Sequence, residues 1–350
     1  MSNSTQALGR VPTTRSTTLA TPAYYICLIK MDTFEQYMFV YLFRCFIRPA
    51  ICVLGFSLNM FCIAILRRNG LHKQPNILLC GQIIADSIYL LFGLNYSSII
   101  QMFGPNRLYP AYCGLQYNET LDYSLLISQI IFKFSASLGF YASTLIPILI
   151  TLERLMAIFR PMAFKAVVTT RITKIAVISS FIVWIPWILC DLSFHRILSA
   201  KLSSTITFME LVPQDSPAAN VVAVMTVFVV NSGVSFFTLA AVTIGCCIIS
   251  IKMSIALKQR RRLTTSQSKL TWSPRTTRTL LVTCFIFVVI HGTITICASI
   301  TDSLQRIQYF FVNDIKYYIY PINASSNLFV CILTNKKLLH NLKNILRIAK

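Results

Sequence analysis

The sequence predicts an all-α membrane protein: a bundle of seven transmembrane helices followed by a short amphipathic C-terminal helix. Three observations predict it. Of 350 residues, 55% are hydrophobic and only 12% charged, half the charged share that a soluble domain carries, which is about 25%. Seven apolar stretches, 46–66, 76–97, 126–152, 173–194, 218–251, 277–300 and 315–334, each offer the length a helix needs to cross a bilayer, about 20 residues. The basic residues collect in alternate connections between them.

The elements follow in order. The tail 1–45 is Ser/Thr-rich in its first 20 residues and has no apolar core there. No cleaved signal peptide is expected, and 46–66 serves as its own signal anchor. The bundle then occupies 46–334. None of its seven stretches shows the alternation of a barrel strand. The second stretch carries Asp86 within GQIIADSIYLL, and the third ends on the charged neighbours Glu153 and Arg154. The seventh contains PINASSNLFVC, in which Asn323 and Asn327 lie one helical turn apart. The segment 335–350, NKKLLHNLKNILRIAK, sets Leu338, Leu342, Ile345 and Leu346 on one face and bases on the others. That pattern suits a helix lying on the membrane surface.

Charge orients the chain. The connections 67–75, 153–172 and 252–276 and the tail from 335 share one side, where Lys and Arg abound and Glu153 is the only acid. The positive-inside rule puts that side in the cytosol and the N-terminus outside, as for a multi-pass protein of the plasma membrane. The formal net charge of +21 is then a surface for anionic lipid and acidic partners, and nucleic acid is not expected. The third inner loop, KQRRRLTTSQSKLTWSPRTTR, reads as a solvated basic loop whose Ser/Thr residues would reverse local charge if phosphorylated. Sequons at Asn3 and Asn118 fall in outer segments, and one at Asn95 falls at an outer boundary. Of twelve cysteines, Cys27 and Cys113 lie clearly outside. They are either disulfide-bonded to each other or free thiols. No catalytic constellation appears: the four histidines stand in different segments, and there is no phosphate loop, zinc spacing or paired carboxylate. An enzyme is not expected.

Polar side chains within the spans carry the functional reading. An Asp at a helix centre costs about 2.5–3.5 kcal/mol on insertion, so each intramembrane polar group is a candidate site. The set is Asn59, Asp86, Lys133, Ser143, His291, Asn323 and Asn327. The plain alternative is hydrogen-bonded glue between helices, which suits Ser and Asn better than a lone carboxylate.

Five features in order resemble the rhodopsin-like (class A) G-protein-coupled receptors over about 45–345. They are Asn59 in the first span, Asp86 in the second, ERLMAIFRP ending the third, Trp184 in the fourth and NLFVCILTNKK, which closes the seventh and runs past it. The resemblance implies a coupling switch at Glu153, Arg154 and Leu155 with Pro161 beyond it, read by a heterotrimeric G protein. It implies an activation core at Asn59, Asp86, Ser143, Asn323 and Asn327 that would hold an allosteric Na+ at Asp86. It implies an outward pocket among Lys133, Phe140, His291, Tyr317 and Tyr320 for an extracellular peptide or small-molecule ligand. For Lys133, an acidic ligand and an ion pair with Asp122 or Asp314 are both open. NASSNLFV is similar to the seventh span of invertebrate FMRFamide-type neuropeptide receptors and of some nematode-type chemoreceptors. Ala136 and Pro321 stand where amine receptors carry an Asp and opsins their retinal Lys.

The chain also departs from that family. Leu328 and Cys331 replace a Pro and a Tyr, and Leu155 replaces a Tyr. His291 stands where a Trp is usual, Ala324 where a Ser is, and Gln129 where a disulfide Cys is. A chemosensory receptor of the same fold is the alternative function. A transporter or channel is the alternative of another class, and no inverted repeat supports it.

Overall fold

A computed structural model of the protein describes residues 46–68, 73–92, 119–201, 207–213, 216–226, 233–262 and 319–327, with Leu42, Val230 and parts of 285–293 besides. Helix α1 spans Arg48–Arg68 and α2 spans Gln74–Phe92. Helix α3, Glu119–Phe159, has 41 residues, a length of about 60 Å at 1.5 Å per residue and so twice the hydrocarbon core. The expected span 126–152 is its middle. Glu153 and Arg154 therefore lie within a continuing helix rather than at its end.

Pro161 opens the short helix α4, Pro161–Val167, at the position where a missing N–H costs least. Helix α5, Thr170–Ile182, is capped by Thr169, whose hydroxyl accepts from the Ile172 N–H at 3.3 Å. Helix α6, Ile185–Ser193, follows after a break at Val183–Trp184. The fourth expected span, 173–194, is thus two helices. Pro186 is the cause: it has no N–H for the carbonyl four residues back, and its ring crowds that carbonyl.

Strands β1, His195–Lys201, and β2, Thr207–Pro213, then form an antiparallel hairpin with Leu198 opposite Glu210. The sequence had marked 195–217 only as a connection, so this hairpin is an addition to the all-α expectation. Helix α7, Pro217–Val224, is capped by Ser216, and α8, Val234–Arg262, runs eleven residues past the expected end at 251. Residues 319–325 are helical within the expected seventh span.

Among the described residues, four stretches, Arg48–Arg68, Leu126–Phe159, Thr170–Ser193 and Val234–Ile255, are long and apolar enough to cross a membrane. The outer surface agrees with that. Phe237, Ile244 and Ile251 recur every seven residues along α8 and are all exposed, as are Ile175 and Ile178 of α5 and Leu54 of α1. Apolar faces turned outward are what a lipid solvent selects. The protein is a helical membrane protein.

Helix α3 is the hub. α2, α5, α6, α8 and β2 all pack on it, while α1 packs on α2. Leu78 and Ala85 meet Ala142, Ile146 and Ile150 in one core cluster, with Val177 and Phe181 against it. Cys52 and Leu90 meet Ala324 in another.

Candidate functional site

A buried polar node joins four segments near the middle of α2. Asn59, Gln82, Asp86, Ser143 and Asn327 are all buried. The Ser143 hydroxyl donates to Asp86 Oδ1 at 2.5 Å. Gln82 Nε2 donates to Asp86 Oδ2 at 3.1 Å and to Ser143 Oγ at 2.8 Å. Asn327 Nδ2 donates to Asp86 Oδ2 at 2.7 Å, to Asn59 Oδ1 at 3.3 Å and to the Ala324 carbonyl at 3.0 Å. Asn59 Nδ2 donates to the same carbonyl at 3.0 Å. Each donor approaches an acceptor, which is what a buried carboxylate requires.

Glycines let the helices close on this node. A Cβ added at Gly139 would lie 2.7 Å from both the Ala85 carbonyl oxygen and the Tyr89 nitrogen. Backbone thus meets backbone, one turn before Ser143 on the same face of α3. A Cβ at Gly55 would lie 2.0 Å from Ser325 Oγ, again one turn before a node residue, Asn59. Pro147 stands four residues after Ser143 within α3, so it offers no N–H to the Ser143 carbonyl.

Of the expected activation core, Asn59, Asp86, Ser143 and Asn327 come together. Asn323 is half-buried, and the donors to Asp86 come instead from Asn327, Ser143 and Gln82. Gln82 was not singled out from the sequence. The available signal was its place four residues before an Asp on the same helix, a spacing at which Gln and Asp pair.

Next to the node lies an aromatic group. Phe140 and Tyr320 meet edge-on at 4.7 Å, Tyr89 lies 5.9 Å from Tyr320, and Tyr141 stacks on Trp184 at 4.7 Å. Two of the expected pocket residues, Phe140 and Tyr320, are therefore neighbours. Lys133 is two turns further along α3 and 44% exposed. Its ammonium lies 3.2 Å from His195 Nε2 and 4.0 Å from Asp191 Oδ2. His195 Nδ1 lies 2.7 Å from the Asp191 carbonyl oxygen, so that nitrogen carries the proton and Nε2 accepts from Lys133. Thr226 donates to Asp191 Oδ1 at 3.3 Å. An ion pair with Asp122 or Asp314 was one alternative open for Lys133; the Asp122 side chain and Asp314 lie outside the described residues, among which Lys133 meets Asp191 and His195.

At the other end of α3 sits the ion pair. Glu153 is buried, and its Oε2 lies 3.1 Å from Arg154 Nε. Both atoms lack an aligned hydrogen bond among the described residues. Adjacent helical residues point about 100° apart, so the two side chains meet at a poor angle. Charge, rather than hydrogen-bond geometry, holds the pair. Helix α8 comes close here, since a Cβ at Gly245 would lie 2.2 Å from Thr151 Cγ2 and 3.7 Å from Leu155 Cδ1. Lys252 sits 5.1 Å above the Phe159 ring. Beyond it Met162 of α4 is 90% exposed, and Gln74 donates to the Val168 carbonyl, tying α2 to the end of this connection.

His291, Tyr317, Cys27, Cys113, Asn3, Asn95 and Asn118 lie outside the described residues, as do Leu328, Cys331 and the segment 335–350. Among the described residues no His, Cys, Asp and Glu cluster has metal-binding form.

No model of a known protein family matches the chain, and no curated protein matches it.

Proposed function

We propose that the chain is a divergent rhodopsin-like receptor of seven helices, which binds an extracellular ligand and activates a heterotrimeric G protein. One observation carries this reading. A single helix, α3, bears the half-exposed Lys133, the buried node at Ser143 and the buried Glu153 paired with Arg154. Lys133 and Arg154 are 21 residues apart, a rise of about 32 Å, close to the thickness of a hydrocarbon core. The helix thus joins two membrane boundaries through a polar centre.

In this reading the remaining spans run through 277–300 and 315–334, and 335–350 lies on the inner membrane surface. The protein sits in the plasma membrane with its N-terminus outside. The ligand, a neuropeptide by the likeness of NASSNLFV, reaches the end marked by Lys133, Phe140 and Tyr320. It shifts a pre-existing equilibrium between two packings of the bundle. In the resting packing Glu153 holds Arg154; in the other, Arg154 is free for the G protein, and the exposed Met162 supplies an apolar contact beside it.

The test is a G-protein dissociation assay in cells expressing the chain, screened against neuropeptides and small molecules. Agonist-dependent nucleotide exchange supports the receptor. Solute flux with no exchange for any agonist would instead make the protein a transporter or channel.

A further inference from the structure

The resemblance implies a sodium ion at Asp86, and the node as built does not fit one. A hard cation is held by oxygen lone pairs. Around Asp86 three of the carboxylate's roughly four lone-pair sites already receive hydrogens from the protein. Oδ1 takes the Ser143 hydroxyl at 2.5 Å, and Oδ2 takes the amides of Gln82 at 3.1 Å and Asn327 at 2.7 Å. Ser143 Oγ itself accepts from Gln82 at 2.8 Å, and Asn59 Oδ1 accepts from Asn327 at 3.3 Å.

The direction of the Gln82 amide follows from chemistry. Turned over, it would set its carbonyl against a carboxylate that can only accept. Held as it is, its Oε1 is left without a partner among the described residues, in a side chain more than nine-tenths buried. Burying an unpartnered carbonyl is unfavourable. The compensation is the –NH2 group placed between Asp86 and Ser143.

We infer that Gln82 is a built-in counter-group: its amide fills the place between Asp86 and Ser143 that a monovalent cation would occupy, so the bundle's resting packing is held without sodium. Sodium independence follows from this geometry whether or not the protein couples to a G protein.

The experiment uses the full chain purified in detergent. Thermal unfolding is followed with a thiol-reactive dye that reads the buried Cys52 and Cys62. Midpoints are compared in sodium, potassium and N-methylglucamine chloride, each at ~150 mM. The parent is expected to unfold at one midpoint in all three salts. Gln82→Leu removes the amide and opens Asp86 Oδ2 and Ser143 Oγ, so its midpoint is expected to rise by several degrees in sodium alone. Adding Asp86→Asn should abolish that rise. Gln82→Met serves the same purpose where the leucine variant fails to fold. A parent midpoint raised by sodium would overturn the inference, as would Gln82 variants that fold yet show no sodium-specific rise.

Discussion

Replacing Gly139 with Ala tests how the node is assembled. The added Cβ would sit 2.7 Å from the Ala85 carbonyl oxygen and from the Tyr89 nitrogen, and 3.2 Å from a methyl of Ile88. Two of these three are backbone atoms of α2, which cannot swing aside as a side chain can. Ordinary contact begins at 3.4 Å, so α2 and α3 must part by roughly 0.7 Å, the difference from 2.7 Å, at this level. Ser143 is one turn away, and the same displacement would stretch its 2.5 Å bond to Asp86 beyond a normal charge-assisted length. Overpacking costs about 1–3 kcal/mol, and a weakened hydrogen bond to a charged group adds part of its usual ~1.5–3 kcal/mol. A total of about 2–4 kcal/mol corresponds to a fall of roughly 4–8 °C in midpoint. The assay is thermal unfolding of the purified chain. Gly139→Ala should fall below the parent by that margin. A Gly139→Ala midpoint equal to the parent's would refute the close-approach reasoning.

Two further outcomes follow from exposure. Met162 is 90% exposed, so Met162→Asp should leave the midpoint unchanged while cutting G-protein activation on the order of tenfold, about 1.4 kcal/mol; unchanged activation at equal surface expression would remove α4 from the coupling face. The Lys133–Asp191 pair spans 4.0 Å with Lys133 44% exposed, so Asp191→Asn should cost under ~1 kcal/mol in unfolding free energy. A larger loss would mean that Asp191 is structural through Thr226.

Much of the architecture could be read from the chain because its causes are local. Apolar length places α1 and the middle of α3. Asn59, Asp86, Ser143 and Asn327 stand out because polar groups in a span demand a partner. What escaped the sequence depends on distant neighbours. Gln82 looks like an isolated amide until α3 brings Ser143 beside it, 61 positions away. Gly139 looks like any glycine until the backbone of α2 lies against it. Asp191 lies on another helix from Lys133, and only the packing of α6 on α3 sets the two side by side. The break at Val183–Trp184 was hidden for a different reason. Hydropathy averages over Pro186, and the lost backbone hydrogen bond leaves no trace in apolar content.

The central claim is that Glu153 restrains an Arg that a G protein reads. Its most direct measurement is basal nucleotide exchange on a G protein, with no ligand and matched surface expression, for the parent, Glu153→Gln and Arg154→Ala. Glu153 is buried 3.1 Å from Arg154, and a loss of ~1.4 kcal/mol of resting preference raises the active population about tenfold. Glu153→Gln should therefore raise basal exchange by about that factor, and Arg154→Ala should abolish exchange in every background. Equal exchange in all three would contradict the account.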